Sequence, residues 1–172
     1  MAIISGYADR GLRRLLVHII IGASFIWVTC VGKATACNLM EVLQQQPAFS
    51  RFVVLLDAGG LGMKLKESGD FTVFAPSNAA FDSLPPQLRH TLLEKPEAAL
   101  AKRTVESLIV PSIWMPEDLA QKRMFLKALN GRMILVDGTR GELTAGDSEI
   151  LSIDVTPCHG VIYEIDSVDL SY

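Results

Sequence analysis

Three histidines, three cysteines and 19 acidic residues are the side chains of this 172-residue chain that could carry acid–base, nucleophilic or metal chemistry. Their spacing limits what they can do. His90 and His159 stand far apart and belong to no H-E-x-x-H or paired-cysteine pattern, which speaks against a zinc site. No G-x-S-x-G occurs, so the elbow of a serine hydrolase has no support. The acids are scattered rather than gathered in a calcium loop of the D-x-D-x-D-G kind. Asp154, Cys158 and His159 form the one cluster resembling a nucleophile with its base, in which the imidazole would activate the thiol. Neighbours on an extended strand point to opposite faces, so Cys158 and His159 would face apart. A structural histidine is the preferred reading, and none of these patterns asks for a cofactor.

Two segments could serve recognition instead. Lys122, Arg123 and Lys127 make either a small basic spot or a solvated face beside Met124 and Phe125. Ile113, Trp114 and Met115 follow Pro111 in a loop-like stretch, where they either form an apolar contact patch or close the core. Composition narrows the partners. With 16 Lys+Arg against the 19 acids and 7% aromatic residues, the chain lacks the basic, base-stacking surface a nucleic acid demands. At roughly 150 residues per domain, the length suits one domain with an appendage.

The appendage is visible in the charges. Residues 1–36 hold Arg10, Arg13, Arg14 and Lys33 against Asp9, which leaves 12 basic and 18 acidic residues for 37–172. The stretch from Leu15 to Gly32 carries no formal charge and is followed by Ala34-Thr35-Ala36. A basic start, an apolar run and an A-x-A site have the layout of a secretory signal, cleaved after Ala36 to leave Cys37 first. Two alternatives stand beside it. Leu15 to Val31 would make about 26 Å of helix against a hydrocarbon core of ~30 Å, so an uncleaved anchor is a short but feasible reading. Lipidation of Cys37 is the other. All three put the body outside the cytoplasm, in a secreted, periplasmic or envelope setting. Cleavage would discard Cys30 and leave Cys37 and Cys158 as a pair able to form a disulfide in an oxidising space.

The body divides by periodicity. Leu39, Val42, Leu43 and then Phe49, Phe52, Val53, Leu56 recur at three- and four-residue steps, which predicts two helices over 38–58 split at Pro47 and stopped at Gly59-Gly60. A short amphipathic turn follows at Leu61–Leu65. Phe71-Thr72-Val73-Phe74 reads as a strand, after which Ser77 or Asn78 caps a short helix. Residues 87–108 read as two helices divided at Lys95-Pro96. Beyond Phe125 the period changes. Asn130-Gly131 between two apolar runs predicts a hairpin with a two-residue turn, and strands are expected at Ile150–Val155 and Val161–Val168. Helices first and strands second, with one strand inserted early, spells an α+β fold around a mostly antiparallel sheet.

These residues also carry a resemblance. Phe71-Thr72-Val73-Phe74-Ala75-Pro76-Ser77-Asn78-Ala79-Ala80-Phe81 resembles the first signature box of the fasciclin-like adhesion domain, and Gly160-Val161-Ile162-Tyr163-Glu164-Ile165-Asp166 resembles the second. Asn38–Leu43, Leu55–Leu61 and Leu129–Gly131 fall in family order, so the match spans 37–172. The resemblance implies a β wedge of about seven strands with a cluster of helices, in which the boxes serve mainly the fold. It also implies interaction candidates. Ile109-Val110, before Pro111, match an aliphatic pair in an adhesive segment, though the Tyr-His that precedes it in many relatives is absent here. Asp154-Val155 match an Asp-Ile segment. His159 and Tyr163 stand where relatives often carry Asn and His.

The resulting expectation is an extracellular or envelope-associated interaction and adhesion module, not an enzyme. Its partner would be an extracellular protein or a polysaccharide, with Ile109, Val110, Trp114, Asp154 and Val155 as contact candidates. A small-ligand or lipid-binding protein with a pocket between sheet and helices is the alternative, and a hydrolase with an unrecognised site a third.

Overall fold

A computed structural model describes residues 38–67, 69–94, 98–156 and 160–168. The expectations for the leader, Ala36, Cys37, Cys158 and His159 therefore lie outside the described residues.

The first half is helical, as the three-and-four spacing requires. The side chain of Asn38 accepts from the Glu41 amide at 2.8 Å and opens α1, Leu39–Gln45. Pro47 starts a 3₁₀ turn, Pro47–Phe49, that leads into α2, Ser50–Ala58. Gly59 lets α2 lie close to a later helix, because a Cβ there would meet Val105 Cγ2 at 2.8 Å and the Lys102 backbone at 3.1 Å. Helix α3, Gly62–Lys66, completes the group before strand β1, Phe71–Pro76. Then follow α4, Asn78–Asp82, α5, Pro86–Leu93, and α6, Ala98–Ser107.

Strand β2 is the pair Ile109–Val110, and α7 is Pro116–Leu119. The second half brings β3, Arg123–Lys127, β4, Met133–Asp137, β5, Thr144–Ala145, β6, Ser148–Thr156, and β7, Gly160–Ile165. They form one sheet in the order β2-β1-β7-β6-β5-β4-β3. Every pairing is antiparallel except β1 with β7, which is parallel.

That parallel pair is the centre of the molecule. All six residues of β1 are buried, and of β7 only Glu164 is partly open. Two-sided burial is what a parallel pair of apolar strands needs. Helix α1 covers one side, where a Cβ at Gly160 would strike Leu39 Cδ1 at 2.5 Å. The segment 112–115 covers part of the other. There Thr72 Oγ1 donates to the Ser112 carbonyl at 2.8 Å and accepts from the Trp114 amide at 2.9 Å. The β4–β5 half also leans toward that side, since Ile134 and Ala145 share a small cavity with Phe74 and Ile165.

Two local expectations need correction, and three short elements are new. The hairpin at Asn130-Gly131 exists, but its turn is not of the two-residue kind. Gly131 N donates to Ala128 O at 2.9 Å and Ala128 N to Arg132 O at 2.8 Å. Gly131 has φ +85°, while Asn130 stays at negative φ. This is a three-residue loop in which only the glycine takes the left-handed conformation. The short helix Pro116–Leu119 was not anticipated. The last strand ends at Ile165, where Asp166 turns back to accept from the Glu149 amide at 2.8 Å. Strands β2 and β5, two residues each, were not anticipated.

Candidate functional site

The first box is wired into the fold. Ser77 caps α4 by accepting from the Ala80 amide at 3.3 Å. Asn78, next to it, ties α4 to the start of α2. Its Oδ1 accepts from the Arg51 amide at 3.2 Å, and its Nδ2 donates to the Pro47 carbonyl at 2.9 Å. The Arg51 guanidinium donates to the Asn78 carbonyl at 2.9 Å and pairs with Asp82 at 2.6 Å. Ser77 and Asn78 thus supply acceptors to amides in the first turns of α4 and α2.

The second box is equally internal. The Tyr163 ring stacks on Phe74, centroids 5.5 Å apart, and its hydroxyl donates to the Trp114 carbonyl at 2.8 Å. Burial raises its pKa above the ordinary value, and the nearby carboxylates of Glu117 and Asp118 push the same way. The phenol is a structural donor here.

The structure separates the five contact candidates. Ile109 and Val110 are buried in β2 against Val73 and Thr72, so neither side chain reaches solvent. Asp154 is exposed on the α1 side of β6, where its Oδ2 accepts from Gln46 Nε2 at 3.0 Å. Val155 points the other way, as successive strand residues must. It shares that face with Ile153, because Val155 pairs with Val161 and Ile153 with Tyr163.

Trp114 belongs to the same side of the sheet. It is half-buried, its backbone held by Thr72 and Tyr163 across β1 and β7. In the strand order β6 lies next outward from β7, so Ile153 and Val155 border the segment that covers β1 and β7. Ile153 is 40% exposed, Val155 48% and Met115 37%. This apolar face is the candidate site. Ile153 was missed, although its two-residue spacing from Val155 was a signal that it shares a face. A β-bulge between Ile150 and Ser152 interrupts the alternation just before it.

Other chemistry is sparse among the described residues. No cluster of three or more His, Cys, Asp or Glu could hold a metal ion, and no helix is long and apolar enough to cross a membrane. The cavity lined by Phe74, Leu108, Ile134, Ala145 and Ile165 measures about 30 Å³.

Comparison with known proteins gives a consistent picture. The model of the Fasciclin domain matches residues 47–170. An uncharacterized protein of Synechocystis sp. is 30% identical over 134 residues, covering 77% of this chain and 97% of its own length. The transforming growth factor-beta-induced protein ig-h3 of Sus scrofa is 30% identical over 133 residues, 76% of this chain but 19% of that protein. Immunogenic protein MPB70 of Mycobacterium bovis is 31% identical over 101 residues, 59% of this chain and 50% of that one. Among solved structures, the FAS1 domain pair of the insect cell adhesion molecule fasciclin I superposes with a TM-score of 0.69. The alignment covers 78% of this chain and 51% of that one at 17% identity, a likeness of fold.

Proposed function

The chain belongs to the fasciclin domain family, and from that premise we propose that it is an extracellular or envelope-associated adhesion module that binds a protein or polysaccharide through the side of its sheet that carries segment 112–115. The observation that carries the reading is the exposed apolar pair Ile153 and Val155 on the side of the sheet where the Trp114 backbone is held. Exposed apolar side chains on a fixed backbone bind at small entropic cost, because little has to be ordered on contact. Similarity to domains of a cell adhesion molecule supports the same reading. A basic, apolar leader ending at Ala34-Thr35-Ala36 supports export, with cleavage after Ala36 and a Cys37–Cys158 disulfide as part of the proposal. The pocket alternative draws no support from the cavity that the described residues enclose around Phe74 and Ile165. That cavity of about 30 Å³ takes one or two waters, against the ~300 Å³ or more of a small-molecule site.

The test is attachment. Beads carrying the full chain are incubated with intact cells and with isolated envelope fractions, comparing wild type with Val155→Asp and Ile153→Asp. Attachment should fall at least several-fold in both variants while their urea midpoints stay within the wild-type range. Equal attachment by a folded variant, or no attachment by wild type, overturns the reading.

A further inference from the structure

At the far end of the sheet order, β3 has β4 on one side and, among the described residues, no strand on the other. Its hydrogen-bond alternation shows which groups face outward. Lys122 accepts from Gly138 at 2.8 Å and Ala128 donates to Arg132 at 2.8 Å, so the even-numbered residues of β3 bond toward β4. The amides and carbonyls of Arg123, Phe125 and Lys127 point away from it and have no hydrogen-bond partner among the described residues. The edge closes only beyond the strand, where Leu129 N donates to Ile109 O at 2.8 Å.

The side chains of those three residues share the outer face of the sheet. Phe125 is 65% exposed and its diagonal neighbour Met133 50%. Arg123 stands two residues before Phe125, paired with Asp137 across the strand at 3.6 Å. Lys127 stands two residues after it, with no carboxylate within ion-pair range among the described residues.

We propose that this edge is a strand-addition site for an extended acidic segment of a partner protein, one with an apolar residue opposite Phe125 and carboxylates opposite Arg123 and Lys127. Main-chain hydrogen bonds to three outward-facing residues supply the attachment, and the alternate side chains supply the selection. The charges choose the occupant. Antiparallel pairing with a second copy about Phe125 would set Arg123 opposite Lys127 of that copy, placing like charges together. Cations on an edge repel such strands, and the same cations match a strand with acids at the flanking positions.

The inference rests on the reading of the domain as an interaction module, but it uses a different face from Ile153 and Val155. The probe is a capped peptide, Thr-Glu-Thr-Val-Thr-Glu-Thr, titrated into the full chain by calorimetry with amide hydrogen exchange as the structural readout. The expected result is saturable binding, slowed exchange at Arg123, Phe125 and Lys127, and at least tenfold weaker binding to Lys127→Glu. Lys127→Pro, which removes one outward amide and no bond to β4, should weaken it as well. Val155→Asp should bind the peptide as wild type does, so failure here and failure of the adhesive face are read separately. Equal binding of a peptide with lysines in place of the glutamates overturns the proposal. So does absence of binding, or protection of the edge that rises with protein concentration alone.

Discussion

The β1–β7 pair and the β3–β4 hairpin are built from similar apolar stretches and have opposite fates. Phe74, Val161 and Tyr163 are buried from both sides, while Phe125 and Met133 stand in solvent. Position in the sheet decides this. The first pair sits between helix α1 and the 112–115 segment; the second is at the rim with one face uncovered. The two signature boxes belong to the buried region, where they cap helices and join strands. Those available to a partner lie outside both boxes. A strong signature therefore reports the fold of this chain and says little about what it touches.

The contrast should show first in truncation. Phe74→Ala is expected to cost about 3–5 kcal/mol, the range for emptying a buried aromatic site, whereas Phe125→Ala should stay within ~0.5 kcal/mol. Urea unfolding of both variants checks the pair, and similar losses would erase the distinction. Asn78→Ala comes next, because it removes the side-chain acceptor of the Arg51 amide and one of two donors to the Pro47 carbonyl, which keeps the Ser50 amide. A loss of about 1–2 kcal/mol is expected from the lost hydrogen bonds, with Ser77→Ala nearer ~1 kcal/mol as an ordinary cap deletion.

Tyr163→Phe should cost ~1 kcal/mol by removing the bond to the Trp114 carbonyl. Its pH dependence sharpens the comparison. The folded phenol has a raised pKa, so the unfolded chain loses its proton first, near the ordinary value of 10.0. The tyrosine's contribution is complete below that value and is lost as the pH climbs through the higher folded one. Wild-type urea midpoints should therefore fall more steeply above pH 10 than those of Tyr163→Phe.

Asp137, on the open hairpin, behaves in the opposite sense and on a smaller scale. Hydrogen bonds from the Thr139 hydroxyl at 2.6 Å and amide at 2.9 Å hold its carboxyl below the ordinary range, with Arg123 and Arg140 adding to the effect. Its contribution is present above the unfolded pKa and disappears as the pH falls through the folded one. A small stability deficit of Asp137→Asn at neutral pH should vanish in acid, as measured by urea midpoints across that range.

Much of the architecture was legible in the residues. The helices at 39–58, the strand at 71–76, the division between α5 and α6 and the hairpin about Gly131 all follow local patterns. What escaped was short or nonlocal. Ile109-Val110 and Thr144-Ala145 are too brief to show a period, and they are strands only because Thr72, Val73, Val136 and Asp137 lie beside them. The placement of the contact candidates was nonlocal in the same way. Asp154 and Val155 are neighbours in sequence yet lie on opposite faces, and Ile109-Val110 sit under the surface they were expected to form.

Sequence alone determined the longer helices, the longer strands, a cap at Ser77 or Asn78 and the mixed class of the fold. Periodicity and capping act over a few residues, so they are written locally. Tertiary structure alone decided that β1 and β7 run parallel, that Tyr163 bonds the Trp114 carbonyl 49 residues away, and that β3 keeps an open edge. Those outcomes depend on which surfaces of distant segments cover one another, and no window of neighbouring residues contains that information.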